Sequence, residues 1–350
     1  MLQAAITGEK GLKSALVRAV LTVPSWAFCV IIALRRFAYR RIPGLQKRLP
    51  AFVVSIGNIT VGGTGKTPTV EHYVRTYLAE GKRVAVLTRG YGGKGRSKDA
   101  LLDISGDTPF DAKTAAAAGD EPMMLARRLR DAPIVVCPDR YKGGGYAVET
   151  HSAEVLVLDD GFQHVRLARD LEIVTVDATQ PFGTGCLLPK GTLREKPSTL
   201  RRADIIVLTH ADRCTSIDAL RNTIARLAPQ AELLFGQHVL TNLIDLGTGS
   251  SCELSAVAGK RLLAFCGIGN PDSFKAGLGS LDSELVGFET YPDHHAYSER
   301  DLDAIFKRAK RRDAEFIVTT EKDMMRLLEF GDKCRGIHAL AIEIEIASPE

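Results

Sequence analysis

Residues 59–68 read ITVGGTGKTP, and this stretch decides how the chain folds. A short apolar run, FVVSI at 52–56, precedes it and an amphipathic stretch follows, so a glycine-rich turn joins a strand to a helix. The turn matches the phosphate-binding pattern G-x-x-x-x-G-K-[ST] at every fixed position but the first, where Thr60 stands in place of glycine. In such a loop the backbone N–H groups converge on phosphates, the lysine reaches the terminal phosphates, and the hydroxyl residue holds magnesium. Thr60, Gly62, Gly63, Thr64, Gly65, Lys66 and Thr67 are therefore the candidate nucleotide-binding residues.

Around this turn, β-branched runs recur at the spacing of strand–helix units: 52–56, 83–87, 134–137, 155–158, 172–176 and 205–209. Most are apolar on both faces, as strands of a covered parallel sheet are. Helical stretches at 69–80, stopped by Gly81, and at 121–129, entered through Asp120 and Pro122, lie between them. A second series begins with 232–235, 262–266, 316–319 and 340–344. The expectation is an α/β chain: a P-loop NTPase-like parallel sheet over 49–212, a smaller α/β domain over 213–350, and an N-terminal apolar helix with a basic linker over 1–48.

The 350 residues are 45% hydrophobic and 25% charged, a globular composition long enough for about two domains. A formal net charge of only +4 implies no wholesale nucleic-acid binding. Seven scattered cysteines without a C-x-x-C pair point to reduced thiols, and eight histidines without H-E-x-x-H spacing give no sign of a zinc site.

The amino end is distinct. Residues 15–34, ALVRAVLTVPSWAFCVIIAL, carry one charge, Arg18, and as a helix would run about 30 Å, the thickness of a bilayer core. Arg18 and Pro24 weaken a clean span, and no small-residue cleavage site follows. A basic cluster, Arg35, Arg36, Arg40, Arg41, Lys47 and Arg48, would keep the rest of the chain cytoplasmic. The reading is membrane association, spanning or interfacial, against the alternative of a buried core helix.

Other residues could complete a phosphoryl-transfer site. Asp159 and Asp160 end the apolar run VLVL, where open α/β sheets bind ligands, and suit a second magnesium anchor. Asp120, in GDEP, could deprotonate an acceptor hydroxyl, but Asp-Glu-Pro is also a good helix start, and spacing alone favours the cap. His294, in YPDHH, reads equally as part of a polar turn or as a residue tuning a carboxylate. The Gly- and Pro-rich loop at 180–197 carries Lys190, Arg194, Glu195 and Lys196, and is long enough to be functional or merely a flexible surface loop.

Taken in order from residue 55 to 323, the segments SIGNITVGGTGKTP, LTRGYGG, GDEP, DDGFQH, LLPKGTLRE, CGIGNPDSF, YPDHH and TTEKD resemble the tetraacyldisaccharide 4'-kinase family, lipid A pathway enzymes that phosphorylate a membrane-embedded glycolipid. The resemblance implies ATP and Mg2+ as cofactors, a glycolipid acceptor at a bilayer surface, and a location on the cytoplasmic face of the inner membrane of a Gram-negative bacterium. No protein partner is implied. It implies a non-glycine first loop position, so Thr60 belongs to the variant. It also implies an aspartate–histidine catalytic pair, Asp120 and His294, overriding the cap reading. Asp159 and Asp160 would serve the magnesium and catalytic centre with Thr67, and Glu195 would be a further metal-associated acid. His295 falls where the family varies. Arg89, Arg140, Lys190 and Arg194 are candidates for the acceptor's existing phosphate. With His294 assigned to the smaller domain, domain closure is expected to assemble the pair. A partitioning-type P-loop switch is the rival class, but Val61 stands where that class places its signature lysine.

Overall fold

The computed structural model describes residues 16–348 apart from 18, 91–99 and 107. Ala15, Arg18 and the Tyr91-Gly92-Gly93 half of LTRGYGG therefore lie outside the described residues. Along the chain the strands are β1 (Phe52–Gly57), β2 (Val84–Thr88), β3 (Leu102–Ile104), β4 (Ile134–Val136), β5 (Val155–Asp159), β6 (Leu171–Asp177), β7 (Ile205–Thr209), β8 (Glu232–Asp245), β9 (Ser251–Glu253), β10 (Arg261–Cys266), β11 (Glu284–Thr290), β12 (Phe316–Thr320) and β13 (Ile337–Ala347). Chain contacts define two compact units, and the division is not a single cut near residue 212. Residues 1–89, 137–237 and 344–350 form the first unit; Gly90–Val136 and His238–Glu343 form the second. The GDEP segment thus belongs with the carboxyl-terminal series, because the chain leaves the first unit after Arg89 and re-enters it at Cys137.

In the first unit the strands lie in the order β8–β7–β6–β1–β5–β2, all parallel. The central strands are buried on both faces, which explains their unbroken apolar runs. One core packs Ile59, Phe162, Val174, Leu193, Leu200 and Ile206 against the helix Ile217–Leu227. Ile56 of β1 is in register with Asp159 of β5, so the glycine loop and the paired aspartates leave the sheet side by side at its carboxyl edge.

The helix Thr22–Arg41 belongs to this unit. Pro24 sits in its first turn, where a missing N–H costs no hydrogen bond. Arg35, Arg36, Arg40 and Arg41 are inside the helix rather than in a linker after it. Ser25 Oγ donates to Leu187 O at 2.9 Å, and Arg36 pairs with Glu195 at 3.0 Å. Val23, Trp26, Ile31, Leu34 and Phe37 are all more than 60% exposed, as are Leu16 and Val20 before it, so the helix is not the buried core element that the alternative required. Among the described residues no helix is long and apolar enough to cross a membrane.

In the second unit β11–β10–β12–β13 form a parallel array, and β3–β4 and β8–β9 pair antiparallel. Phe265, Tyr297, Leu302, Ile305 and Ile337 centre one core; Leu243, Leu262, Phe274 and Leu340 centre another. The helix Glu299–Arg311 begins with a capping box, Ser298 with Asp301, which fixes the end of the loop that carries His294.

Candidate active site

The glycine loop opens from β1 into the helix Lys66–Ala79, as its strand–turn–helix pattern requires. Gly62 and Gly65 adopt φ of 108° and 77°, and Gly63 has open space where a side chain would begin. These are the features that let a backbone approach phosphates closely. Thr60 is 6% exposed and forms an isolated antiparallel bridge with Leu193. Val61 N donates to Thr192 O at 2.8 Å and Arg194 N to Ile59 O at 2.8 Å. The first loop position is extended backbone zipped to the 180–197 loop, which is why a β-branched residue is accommodated there. Thr64 turns inward: its hydroxyl meets Asn58 Nδ2 at 2.8 Å and Thr175 Oγ1 at 2.9 Å, and its carbonyl accepts from Thr209 at 3.2 Å. Its side chain and carbonyl tie the loop to the sheet.

The 180–197 loop holds itself together. Thr184 and Thr192 exchange backbone-to-hydroxyl hydrogen bonds of 3.0 Å each, and a side chain on Gly191 would strike the Thr184 hydroxyl at 2.3 Å. From it Arg194 Nη1 reaches both oxygens of Asp160 at 2.7 Å, while Lys66 Nζ lies 3.9 Å from the same carboxylate. Burial pushes the Asp160 carboxyl up, but Lys66 and Arg194 outweigh it and hold it below the usual range. Asp159 is 3% exposed and accepts from Thr88 Oγ1 at 3.2 Å.

Glu195 departs from its expected place among the metal-associated acids. Its carboxylate is buried and takes both oxygens to Arg202 at 3.0 Å, with Arg36 at 3.0 Å and Gln163 Nε2 at 3.3 Å. Two guanidiniums neutralise it, so it anchors the Thr22–Arg41 helix to the strap beside the glycine loop. Of the four cationic candidates for an acceptor phosphate, Arg140 is 4% exposed and contacts the Pro138 and Asp159 carbonyls, and Arg194 is committed to Asp160. Lys190 is half-buried and Arg89 exposed. His164, the last residue of DDGFQH, is driven down to about 3 by burial and by the nearby Arg140 and Arg169, so it stays neutral.

The other group of candidates lies in the second unit. Asp120 is the first residue of the helix Asp120–Arg128, but the cap is Gly119, at φ 95°, and no side chain caps this helix. The Asp120 carboxylate instead takes a 2.7 Å hydrogen bond from Arg326 Nε and lies 3.3 Å from His294 Nδ1. The cap reading of the spacing is thus overturned, and Asp120 and His294 stand together. They stand together within one unit, so the expected assembly of the pair by closure of two domains does not apply. His294 has φ 57°, and its N–H donates to Gly267 O at 3.1 Å, which fixes the ring's origin. Its pKa is raised by the hydrogen bond to Asp120 against the opposing effect of burial. Burial lifts the Asp120 carboxyl, yet the His294 and Arg326 contacts bring it below its ordinary value. His295 points elsewhere, stacked on Tyr291 at 4.7 Å and 3.3 Å from Asp301.

Two residues of this group were not singled out in the sequence. Asp323, the end of TTEKD, is fully buried and accepts from Gly267 N at 3.0 Å, Tyr297 OH at 2.9 Å, Thr320 Oγ1 at 2.6 Å and Arg326 Nη1 at 3.0 Å. Arg326 spans from it to Asp120. Its signal was an aspartate–arginine pair three residues apart on the helix Glu321–Leu327, which any surface ion pair would also give. Gly267, His294 and Asp323 follow β10, β11 and β12, so the second unit gathers its polar group at strand carboxyl ends as the first does.

A phosphate-binding loop with paired acids and a separate aspartate–histidine pair define a P-loop kinase. The family model for tetraacyldisaccharide-1-P 4'-kinase matches residues 17–350. The chain is 42% identical over 335 residues to the tetraacyldisaccharide 4'-kinase of Syntrophus aciditrophicus, covering 93% of this chain and 89% of that protein. It is 40% identical over 331 residues to that of Pelobacter propionicus, covering 94% and 89%. A crystal structure of LpxK from Aquifex aeolicus in complex with ATP superposes with a TM-score of 0.73 at 29% identity, covering 95% of each chain. The chain belongs to the tetraacyldisaccharide 4'-kinase family.

Proposed function

We propose that this chain transfers the γ-phosphoryl group of ATP to the 4'-hydroxyl of a tetraacyldisaccharide 1-phosphate in lipid A biosynthesis, at the cytoplasmic face of the inner membrane of a Gram-negative bacterium. The observation that carries this reading is the Asp120 carboxylate, held by a histidine and an arginine instead of capping its own helix.

A sugar hydroxyl is a poor nucleophile at neutral pH. Asp120 takes its proton as the oxygen bonds to the γ-phosphorus and the bond to the β–γ bridging oxygen breaks, the electron pair leaving with ADP. His294 orients the carboxylate. Lys66 and the N–H groups around Gly62, Gly63 and Gly65 meet the phosphates, and Lys66 and Arg194 exchange Asp160 for charge on the transferring group.

The donor set suits magnesium. The Thr67 hydroxyl stands in the first helical turn and Asp159 ends the adjacent strand, both buried, with Asp160 next to them. Among the described residues no three acidic, histidine or cysteine side chains form a protein-only cage. A hard cation held by one or two carboxylates together with substrate phosphates needs none. Bound there, the ion would neutralise charge on the β- and γ-phosphates.

The apolar stripe of the Thr22–Arg41 helix would lie in the bilayer interface with the arginines at its carboxyl end toward anionic headgroups. That brings the site to a bilayer-held glycolipid; no nucleic acid or protein partner enters this reading. The test is transfer of label from γ-labelled ATP to the disaccharide 1-phosphate in mixed micelles. Label found only in free phosphate would leave an ATPase and refute the acceptor.

A further inference from the structure

Both positioning contacts on Asp120 fall on one oxygen. Arg326 Nε and His294 Nδ1 reach Oδ2, at 2.7 and 3.3 Å, and among the described residues no hydrogen bond falls on Oδ1. Arg326 is itself immobilised: Nη1 donates to Gly267 O at 2.8 Å and Asp323 Oδ1 at 3.0 Å, Nη2 lies 3.3 Å from His294 Nδ1, and its side chain is 9% exposed. One planar cation therefore touches the aspartate, the histidine and a buried anchor. A guanidinium fork can do this and a lysine ammonium cannot.

We propose that Arg326 is a positioning residue of the phosphoryl-transfer site, clamping Asp120 through Oδ2 so that Oδ1 is the atom that receives the acceptor's proton, with Asp323 as the fixed post of the clamp. This rests on Asp120 being the base. Arg326 makes the shorter contact and carries a permanent charge, so it sets both the plane and the ionisation of the carboxylate, while the half-exposed His294 makes the longer one.

The other charged groups around Asp120 are largely occupied. On its own helix Glu121 pairs with Lys322, and Arg127 and Arg128 face Glu321. On the 291–295 loop Asp293 acts on His294, and His295 is held by Asp301. On the Glu321–Leu327 helix Asp323 is saturated with donors. Among the described residues Arg326 is thus the permanently charged group in direct contact with Asp120, beside the titratable His294.

The experiment is the pH profile of lipid phosphorylation for wild type, Arg326→Gln, Arg326→Lys and Asp120→Asn. Removing the cation leaves burial less opposed, so the acid limb of kcat for Arg326→Gln should move upward by about 1 pH unit or more, since an opposite charge in contact shifts a carboxyl by that order. Its kcat on the plateau should fall about 10- to 100-fold with KM for ATP little changed, the loss expected for a misplaced base. Arg326→Lys should return the limb toward wild type while kcat stays reduced, because the ammonium restores charge without the fork. A limb that does not move in Arg326→Gln, with activity reduced only in proportion to folded protein, overturns the proposal. If Arg326→Gln does not fold, Arg326→Lys decides: wild-type kcat overturns the clamp, and reduced kcat with unchanged Tm supports it. Asp120→Asn separates the two ideas, because near-normal kcat there removes the base itself, whatever Arg326 does.

Discussion

Removing His294 should cost less than removing Asp120, and removing both should cost no more than removing Asp120 alone. Taking a proton in the transition state is worth about 10²- to 10⁴-fold, or roughly 3 to 5 kcal/mol, and Asp120→Ala should forfeit that in kcat. In the proposed mechanism His294 acts only through the carboxylate. Its 3.3 Å contact is at the long end for a hydrogen bond and its side chain is 47% exposed, whereas Arg326 retains Asp120 at 2.7 Å. His294→Ala should therefore lose about 10- to 100-fold, roughly 1.4 to 2.7 kcal/mol. Without Asp120 there is nothing for His294 to orient, so its penalty should vanish in the double variant, giving a coupling energy equal to the single His294 effect. The assay is steady-state phosphorylation of the disaccharide 1-phosphate in mixed micelles, with KM for ATP measured in each variant and expected to change little. Additive penalties, or near-normal kcat in Asp120→Asn, would refute the reasoning.

Lys66→Ala should lower kcat by about 10²-fold or more, because a charge on the transferred phosphate acts most strongly in the transition state; wild-type turnover would remove the loop from the mechanism. Trp26→Asp together with Leu34→Asp should shift the protein from the vesicle pellet to the supernatant and weaken lipid phosphorylation more than any ATP hydrolysis, and unchanged sedimentation would mean that the exposed stripe is not a bilayer contact. Glu195→Gln should reduce stability by about 3 to 5 kcal/mol, the usual result of stripping a buried carboxylate from its guanidiniums; lost activity with an unchanged Tm would restore Glu195 to the metal site.

The strands of the first unit were legible because each is buried on both faces and so reads as an unbroken apolar run. Most of the runs recognised in the sequence lie within two residues of an observed strand, among them 155–158 against Val155–Asp159 and 205–209 against Ile205–Thr209. Strand β11 was missed: ELVGFET has a glycine at its centre and both ends exposed, so its apolar signal is diluted. Gly287 is there for packing, since a side chain would meet Leu263 at 2.5 Å. The discontinuous second unit was equally hidden, because nothing local marks a chain that leaves one compact unit and re-enters it after 47 intervening residues.

At the site, legibility followed whether a residue's job is done by its neighbours in sequence or by its neighbours in space. The glycine loop is local, and its geometry is encoded in the glycines themselves. Asp120 and Glu195 are not local: spacing alone read Asp120 as a cap of its own helix, whereas only the resemblance paired it with His294, and the resemblance read Glu195 as a metal-associated acid. An Asp-Glu-Pro start offers a cap, and only the Gly119 turn together with Arg326, 206 residues away, shows that the carboxylate is directed elsewhere. Glu195 stands in a segment with three basic residues close by, yet two of the groups that neutralise it are Arg36, 159 residues earlier, and Arg202, seven residues later. A carboxylate's chemistry depends on which cations reach it: Arg326 and His294 on a single oxygen leave Asp120 with an acceptor still open, whereas Arg36, Arg202 and Gln163 leave Glu195 with both oxygens occupied. A carboxylate thus stays open for the proposed role of base in one setting and is held as an anchor in the other, and that distinction lies in long-range partners that a single sequence does not pair.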